Sequence, residues 1–271
     1  MPETDLSLPA RNELWTPELE VVDFSKEHFN ARMQMHFGRD GERYVRSQAT
    51  IETLEQAHVV TLSGESGSGK STLQKKVNPE LGINQSISVT TRSPRMENGA
   101  MEVDGKHYEF LLRREGLKAA IAGDLAQYKI VHGNMYGSRA SSYKPGRNSI
   151  DVVPETAQEL RKLPFLSVMN ICIILPSPEV SSERIIGRGH LPQDELQQRQ
   201  KQSIESHQQL LDDADNFIWI TNDDLEVTEE DYRYALTYGE LPKDRQIKTQ
   251  NVAAAILRHH LADSVAGGVT S

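Results

Sequence analysis

Residues 58–73 read HVVTLSGESGSGKSTL and join a short β-branched run to a glycine-rich turn. The spacing G-x-x-x-x-G-K-[ST] falls on Gly64, Gly69, Lys70 and Ser71. Such glycines let the backbone turn tightly and direct consecutive N–H groups at an anion. The helix predicted from about Ser71 directs its positive dipole end at the same anion. A strand, a loop and a helix in this order predict a nucleotide site rather than a glycine-rich turn that binds nothing.

The residues of this loop have distinct expected roles toward ATP. Lys70 can reach the β- and γ-phosphates, and the Ser71 hydroxyl can ligate Mg²⁺. The expected ATP-binding residues are Gly64, Glu65, Ser66, Gly67, Ser68, Gly69, Lys70, Ser71 and Thr72.

A second segment suited to phosphate lies downstream, where residues 88–110 read SVTTRSPRMENGAMEVDGKHYEF. Arg92 and Arg95 flank a Ser-Pro turn, and Tyr108 follows. Guanidinium forks and hydroxyls are the groups that a second phosphate needs. Taken alone, the segment also fits a solvated basic loop. Together with the first motif it favours a donor nucleotide and a phosphorylated acceptor bound by one chain.

Five segments in consistent order resemble the guanylate kinase family. They are GESGSGKSTL (64–73), SVTTRSPR with VDGKHYEF (88–95 and 103–110), GNMYGS (133–138), CIILPSPEVSSERIIGRG (172–189) and ITNDDL (220–225). The resemblance covers about residues 57 to 225. It implies an α/β P-loop kinase with a doubly wound parallel sheet, a small acceptor-binding subdomain and an arginine-bearing lid.

The resemblance also implies roles for single residues. The acceptor-phosphate ligands fall on Arg92, Arg95, Tyr108 and Tyr136. The catalytic groups that neutralise the transferring phosphoryl fall on Lys70 and on the lid arginines Arg184, Arg188 and Arg199. The aspartate near acceptor and metal falls on Asp151, which is therefore a second candidate Mg²⁺ ligand beside Ser71.

The base-reading position departs from the family pattern. The family has a carboxylate where this chain has Gln127, and the acceptor-side hydroxyls fall on Ser88 and Ser138. A carboxylate only accepts hydrogen bonds, whereas an amide presents a donor and an acceptor in either order. Gln127 therefore permits guanine without enforcing it.

Two acidic positions of the family stay open. The second acidic base contact falls on Val153 unless Glu155 takes its place. Because the chain carries extra residues after Arg95, both Glu97 and Glu102 are candidates for the acidic position of that segment.

These residues predict transfer of the γ-phosphoryl group of ATP, with Mg²⁺, to a nucleoside monophosphate, foremost GMP or dGMP. One alternative is a kinase of the same fold that acts on another phosphorylated acceptor, such as a modified nucleotide or ribose 1,5-bisphosphate. The other is a noncatalytic guanylate-kinase-like module that binds partners. Its usual mark is a degraded phosphate loop, so the intact Lys70 and Ser71 argue against it.

Composition and charge limit the partners and the cellular location that we expect for this protein. The 271 residues carry a net charge of −9, which argues against nonspecific nucleic-acid binding. Cys172 is the single cysteine and falls in an apolar run, so a buried strand residue is expected there. The N-terminal sequence lacks a signal-peptide pattern, and no apolar run approaches the roughly eighteen residues of a membrane helix. We expect a cytoplasmic protein without a membrane partner.

The remaining sequence divides into additions around the core. The expected parts are an N-terminal extension (1–56), the kinase-like domain (57–263), its acceptor-binding subdomain (about 86–138), its lid (about 184–205), an insertion (about 226–244) and a mobile tail (264–271).

The extension is expected to be partly helical. Phe29, Met33 and Phe37 recur every four residues and predict one apolar helix face over 25–37. A second helix is expected over 42–56, with Tyr44, Ile51 and Leu54 pointing inward. These faces either pack on the kinase core or form a homo-oligomer interface.

A last helix is predicted from about Thr249 to Leu261. His259 and His260 are neighbours and point about 100° apart on a helix, so they share no metal-ligand face. Both are expected to be solvated or at the edge of the core.

Overall fold

The computed structural model describes residues 23–97, 100–186 and 193–267. Arg188 lies outside these residues, as do positions 1–22 of the extension and 268–271 of the tail. The described chain divides into two compact units. The first unit comprises residues 23–55, 87–96 and 101–143, and the second comprises the remainder.

Helices and strands are numbered in chain order. The helices are α1 (Lys26–Phe37), α2 (Gln48–Leu54), α3 (Lys70–Val77), α4 (Arg113–Ala122), α5 (Pro154–Leu160), α6 (Pro178–Ile186), α7 (Gln193–Asp212), α8 (Leu225–Tyr238) and α9 (Lys243–Gly267). The strands are β1 (Ala57–Ser63), β2 (Asn84–Gln85), β3 (Ser88–Thr90), β4 (Met96–Glu97), β5 (Ala100–Met101), β6 (Glu109–Phe110), β7 (Leu125–Val131), β8 (Asn134–Arg139), β9 (Gly146–Asp151), β10 (Ser167–Ile174) and β11 (Ile218–Thr221).

The second unit is built on a five-stranded parallel sheet in the order β11-β10-β1-β9-β2. Strand β1 is central and leads directly into the phosphate loop and α3. Parallel strands need crossover connections, which helices provide here. The α/β fold with a parallel sheet, expected from the sequence, is confirmed.

Both faces of this sheet are covered by helices, because successive residues of a strand point to opposite faces. On β10, Ile171 and Ile173 pack in a cluster with residues of α3 and α8. Cys172 and Ile174 pack on the other face with residues of α5, α7 and α9. Cys172 is fully buried, as expected, and burial raises the pKa of its thiol. The sheet is therefore doubly wound.

The first unit contains a four-stranded mixed sheet in the order β6-β3-β8-β7. Strand β3 pairs parallel to β6 and antiparallel to β8, and β7 pairs antiparallel to β8. Strand β7 is thus an edge strand, and its free edge needs partners for its backbone groups.

Helix α1 of the extension belongs to the core of the first unit. Ser25 caps it by accepting a hydrogen bond from His28 N at 3.1 Å. Phe29, Met33 and Phe37 are buried in one cluster with Leu117 and neighbouring apolar side chains. The predicted apolar face is confirmed, and it packs within the chain.

The second helix of the extension is shorter than predicted. It begins at Gln48 instead of residue 42, because the Ser47 hydroxyl caps it by accepting from Thr50 N at 3.1 Å. Leu54 is fully buried as expected, whereas Ile51 is only half-buried. Tyr44 precedes the helix and does not share its face.

Residues ahead of α2 supply the partners for the free edge of β7. The Tyr44 hydroxyl donates to Leu125 O at 2.7 Å and accepts from Leu125 N at 3.0 Å. Arg46 Nε donates to Ala126 O at 2.6 Å. The extension therefore supplies hydrogen-bond partners to the backbone at the start of this edge strand of the first unit.

The C-terminal region is more helical than predicted. Positions 226–244, read from the sequence as an insertion, mostly form α8, which Asp224 caps by accepting from Glu226 N and Val227 N. Helix α9 runs from Lys243 to Gly267. It is longer than the predicted 249–261, and it takes in residues 264–267 of the supposed tail.

None of the helices in the described ranges combines the length and the apolar character that crossing a membrane requires.

We predict that Tyr44→Phe lowers the free energy of unfolding by about 1 to 3 kcal/mol, because the backbone N–H and C=O of Leu125 lose their shared partner. Urea denaturation followed by circular dichroism measures the change. Tyr238→Phe is the matched control, since Tyr238 is 66% exposed. Equal stability of Tyr44→Phe and wild type would contradict this role of the extension.

Candidate active site

The phosphate loop adopts a backbone that only glycine accommodates at its critical points. Gly64, Gly67 and Gly69 have φ of 139°, 87° and 95°. A Cβ on Gly64 would lie 2.2 Å from Ile173 O, and one on Gly69 would lie 2.3 Å from Asn222 Nδ2. The loop is therefore pressed against neighbouring chain on both sides, which fixes the direction of its N–H groups.

Lys70 is the first residue of α3, and its ammonium group folds over the loop. Its Nζ donates to Gly64 O at 2.8 Å and to Glu65 O at 3.1 Å. It also lies 3.9 Å from Asp151 Oδ1. The cation is thus held at the mouth of the loop, where a bound phosphate would meet it.

Asn222 holds the loop from outside, a role that the sequence analysis did not foresee. Its Nδ2 donates to Ser68 O at 2.8 Å, and its Oδ1 accepts from the Thr228 hydroxyl at 3.2 Å. Asn222 belongs to the ITNDDL segment, so the family resemblance marked the position. The pattern of residues gave no signal of the contact.

Ser71 and Asp151 offer oxygen ligands beside this loop. Ser71 is exposed in the first turn of α3, and Asp151 is the exposed last residue of β9. No three side chains of His, Cys, Asp or Glu cluster as metal ligands within the described ranges. Mg²⁺ typically takes one or two protein oxygens and completes its shell with phosphates and water, so a hydroxyl and a carboxylate fit it.

Two of the three arginines expected in the lid lie on helices of the described chain. Arg184 is exposed on α6, and Arg199 is half-buried on α7. The structure therefore describes two of the three expected arginines.

In the first unit, Arg92 forms a bidentate ion pair with Glu102. Arg92 Nη1 and Nη2 lie 2.5 and 2.7 Å from the two carboxylate oxygens of Glu102, which also accepts from Arg95 N at 2.8 Å. Both side chains are under 10% exposed. Of the two candidates for the acidic position, Glu102 is therefore the one seen to pair with Arg92, while the side chain of Glu97 lies outside the described residues.

The ion pair shifts the pKa of both Arg92 and Glu102. Burial opposes the charge of Glu102, but hydrogen bonds from Arg92 and Arg95 N outweigh it and lower its pKa. Burial likewise opposes the charge of Arg92, and the pair with Glu102 raises its pKa in spite of that. The guanidinium of Arg92 also lies 4.9 Å from the ring centre of Tyr108, a cation–π contact.

Tyr108 and Tyr136 meet edge to face, with ring centres 6.3 Å apart. Arg95, three residues after Arg92, is exposed, and its backbone N–H donates to Glu102. The expected acceptor-phosphate residues Arg92, Tyr108 and Tyr136 are thus brought together by direct contacts.

The three expected base-reading residues form a row across the sheet of the first unit. Ser138 pairs with Ser88 on one side and with Gln127 on the other. Residues directly opposite each other on neighbouring strands carry their side chains on the same face. Tyr136 joins that face, since it lies two residues from Ser138 on β8.

A β-bulge precedes Gln127. The register between β7 and β8 shifts between Leu125 and Gln127, which leaves Ala126 as the extra residue. Bulges redirect the side chains that follow them. The carbonyl of Ala126 is bonded by Arg46, so the extension supports the backbone from which Gln127 projects.

Tyr143 is a second residue that sequence reasoning missed. It is fully buried, and its hydroxyl donates to Ser138 Oγ at 2.9 Å. Ser138 Oγ accepts this bond, so its own proton is available to another acceptor.

Val153 and Glu155, the two positions considered for the second acidic base contact, differ in their exposure at the start of α5. Val153 is exposed at the N-cap position, and Glu155 is half-buried in the first turn.

Comparison with known proteins identifies the family. The family model described as guanylate kinase matches residues 56–237. The chain belongs to the guanylate kinase family. It is 33% identical over 207 residues to a guanylate kinase of Haemophilus influenzae, a match that spans 72% of this chain and 94% of that protein.

A second curated relative and one solved structure are also similar to the chain. A guanylate kinase of Cereibacter sphaeroides is 30% identical over 195 residues, spanning 69% of this chain and 89% of that protein. A crystal structure of guanylate kinase from Anaplasma phagocytophilum matches with a TM-score of 0.49 at 24% identity, covering 70% of this chain and 89% of that one. The family model and the two curated relatives make this chain a nucleoside monophosphate kinase, a nucleotide-binding transferase.

We predict that Glu102→Gln lowers the free energy of unfolding at pH 7 by about 1 to 3 kcal/mol, since Arg92 loses its charged partner. The folded pKa of Glu102 lies below its ordinary value of 4.5, so its stabilising contribution is complete above that pH and is lost on further acidification. The variant should therefore lose less stability below pH 4.5 than wild type does.

Urea denaturation at a series of pH values measures both effects. Glu159→Gln is the control, because the Glu159 side chain is 54% exposed in a surface pair with Lys162. If Glu102→Gln and wild type lost stability in parallel on acidification, Glu102 would not titrate as the buried partner of Arg92.

Proposed function

We propose that this guanylate-kinase-family chain transfers the γ-phosphoryl group of ATP to the 5′-phosphate of GMP or dGMP. The observation that carries the proposal is the intact phosphate loop, in which three glycines adopt positive φ and Lys70 is held over the loop carbonyls. A noncatalytic binding module would have no need of this cation. ATP is the expected donor, and Mg²⁺ is the expected cofactor.

The reaction joins an acceptor phosphate oxygen to the γ-phosphorus and breaks the bond to the oxygen that bridges the β- and γ-phosphorus atoms. ADP leaves, and the acceptor gains one phosphate. Such a transfer needs little covalent help from protein, because alignment of the reacting atoms and neutralisation of charge lower most of the barrier.

On the donor side, Gly64, Gly67 and Gly69 would direct backbone N–H groups at the phosphates, and Lys70 would contact the transferring group. Ser71 and Asp151 would hold Mg²⁺, which when bound neutralises charge on the β- and γ-phosphate oxygens. Arg184, Arg188 and Arg199 would neutralise the charge that develops on the phosphoryl group.

On the acceptor side, Arg92 and Arg95 would bind the 5′-phosphate together with the hydroxyls of Tyr108 and Tyr136. Because Arg92 is already paired with Glu102, it would bind as a prepositioned cation that loses little side-chain entropy. Arg95, which is exposed, would complete the phosphate site.

The row formed by Ser88, Ser138 and Gln127 would meet the base. Gln127 can pair with O6 and N1–H of guanine, and after an amide flip with N1 and N6 of adenine. Since Ser138 accepts from Tyr143, its proton can be donated to the base. Gln127 would therefore accept guanine, but it would favour guanine over adenine less strongly than a carboxylate at this position.

The same amide supports a second candidate function. A kinase of this fold whose acceptor is another phosphorylated compound, such as a modified nucleotide or ribose 1,5-bisphosphate, has no need of a carboxylate at position 127. An ADP-release assay with GMP, dGMP, AMP, other monophosphates and ribose 1,5-bisphosphate decides between the two.

We predict that Lys70→Ala lowers kcat by about 10²- to 10³-fold, since a charge aimed at the transition state is lost. Steady-state kinetics with the best acceptor measures this, with thermal unfolding as a check of the fold. Lys75→Ala is the control, because Lys75 is exposed on the same helix. Near-normal turnover of Lys70→Ala would refute the proposed mechanism.

We predict that Gln127→Glu raises the preference for GMP over AMP by about tenfold to a hundredfold. A carboxylate accepts from N1–H and the amine of guanine and repels the N1 lone pair of adenine. The ratio of kcat/KM for the two acceptors, in wild type and variant, is the measurement. The KM for ATP should not change.

An unchanged ratio in an enzyme that already rejects AMP would show that another group, such as Glu155, reads the base. If wild type phosphorylates neither nucleotide, the second candidate function takes precedence.

A further inference from the structure

The phosphate loop carries a buried carboxylate, on Glu65, that its phosphate-binding role does not require. The loop binds phosphate through backbone N–H groups, so the side chain at position 65 can have a separate role. The Glu65 side chain is only 3% exposed. Burying an ionised carboxylate is costly unless hydrogen bonds compensate it. The hydrogen-bond partners of Glu65 therefore indicate which parts of the chain its side chain connects.

Two of these partners lie on the helices of the lid arginines. Ser181 on α6 donates to Glu65 Oε2 at 2.6 Å, and Ser203 on α7 donates to the same oxygen at 3.2 Å. Both serines are buried. One carboxylate oxygen therefore joins two helices that are far apart in sequence from the loop.

Each serine is close to an arginine on its own helix. Arg184 follows Ser181 by three residues, and Arg199 precedes Ser203 by four. Residues three or four apart on a helix are neighbours on its surface. Fixing the two serines at Glu65 thus fixes the helix segments from which both arginines extend.

A third helix supports the contact through His260. Ser181 Oγ donates its single proton to Glu65, so at 2.8 Å it must accept from His260 Nε2–H. The residue is 1% exposed, and burial lowers the pKa of its imidazole. The expectation that His260 is solvated or at the core edge is wrong, because α9 packs on α6 and α7.

His207 faces the other oxygen of Glu65. Its Nδ1 donates to Ser203 O at 2.8 Å, which leaves Nε2 directed at Glu65 Oε1, 3.9 Å away. Neither of these two atoms has a hydrogen-bond partner within the described part of the chain.

Glu65 also contacts the catalytic lysine through its main chain, since its carbonyl oxygen accepts from Lys70 Nζ at 3.1 Å. One residue therefore joins Lys70 on the loop to the helices of Arg184 and Arg199.

We propose that Glu65 is a positioning residue that sets the arginine-bearing helices α6 and α7 against the phosphate loop for phosphoryl transfer. This inference rests on the proposed function, because it assigns the arginines to the transferring group. Glu65 acts through Ser181, Ser203 and His260 and its side chain does not contact the nucleotide.

The test is a double-mutant cycle on the full chain with ATP and the best acceptor. Glu65→Gln should lower kcat about tenfold and change the acceptor KM less than about twofold, since only the arrangement for transfer is lost. In the Arg184→Ala background the same substitution should lower kcat less than about threefold, because the arginine that it positions is gone. Ser181→Ala and Ser203→Ala repeat the test with one hydrogen bond removed each, should Glu65→Gln fail to fold.

The control cycle uses Arg95→Ala, which lies on the acceptor side, and there the effects of Glu65→Gln and Arg95→Ala should multiply. A full tenfold loss in the Arg184→Ala background would overturn the positioning role while leaving the proposed function intact. Wild-type chain that phosphorylates no acceptor, or Arg184→Ala with wild-type kcat, would overturn the proposed function and the inference with it.

Adjacent histidines supply a matched pair of variants. His260→Gln should lower kcat severalfold, whereas His259→Gln should leave it within about twofold, because the His259 side chain is 38% exposed and pairs with Asp263. Thermal unfolding of both variants separates loss of structure from loss of positioning. Equal kcat values for the two variants would contradict the support of Ser181 by His260.

Discussion

The close approach of the phosphate loop to the ends of β10 and β11 is the constraint on which the second unit depends. Gly64 passes so near to Ile173 O that no Cβ fits, and Gly69 passes equally near to the amide of Asn222. These contacts fix the loop backbone, and the backbone in turn fixes the N–H groups and Lys70. An anion site made of main chain is only as well ordered as the chain that surrounds it.

The parallel sheet supplies that surrounding chain. Because β10 buries side chains on both faces, helices must cover both, and those helices return to the end of the sheet where the loop lies. This is how Asn222, Ser181 and Ser203, distant from the loop in sequence, come to contact it. The polar contacts of the loop are consequences of apolar packing elsewhere.

In the first unit, the expected acceptor residues are ordered by a buried ion pair and by side-chain hydrogen bonds to the backbone of an edge strand. Glu102 compensates Arg92 in a buried position, so the cation is retained where solvent alone would not stabilise it. The extension satisfies the edge of β7 through Tyr44 and Arg46, next to the bulge that precedes Gln127. What looks in sequence like an addition to the family core is part of the unit that carries the expected acceptor residues.

The sequence by itself determined the features that depend on near neighbours: the phosphate loop, the apolar face of α1, the burial of Cys172 and the family. Spacing and periodicity report these, because a turn or a helix face is set within a few residues. Only the tertiary structure decided that α2 begins at Gln48, that Glu102 pairs with Arg92, that Asn222 holds the loop, and that His260 is buried beside Ser181. The pairings join residues 10 to 154 positions apart. The start of α2 depends instead on one capping hydroxyl that competes with a longer helix. Burial and pairing are properties of the folded chain, and no local pattern records them.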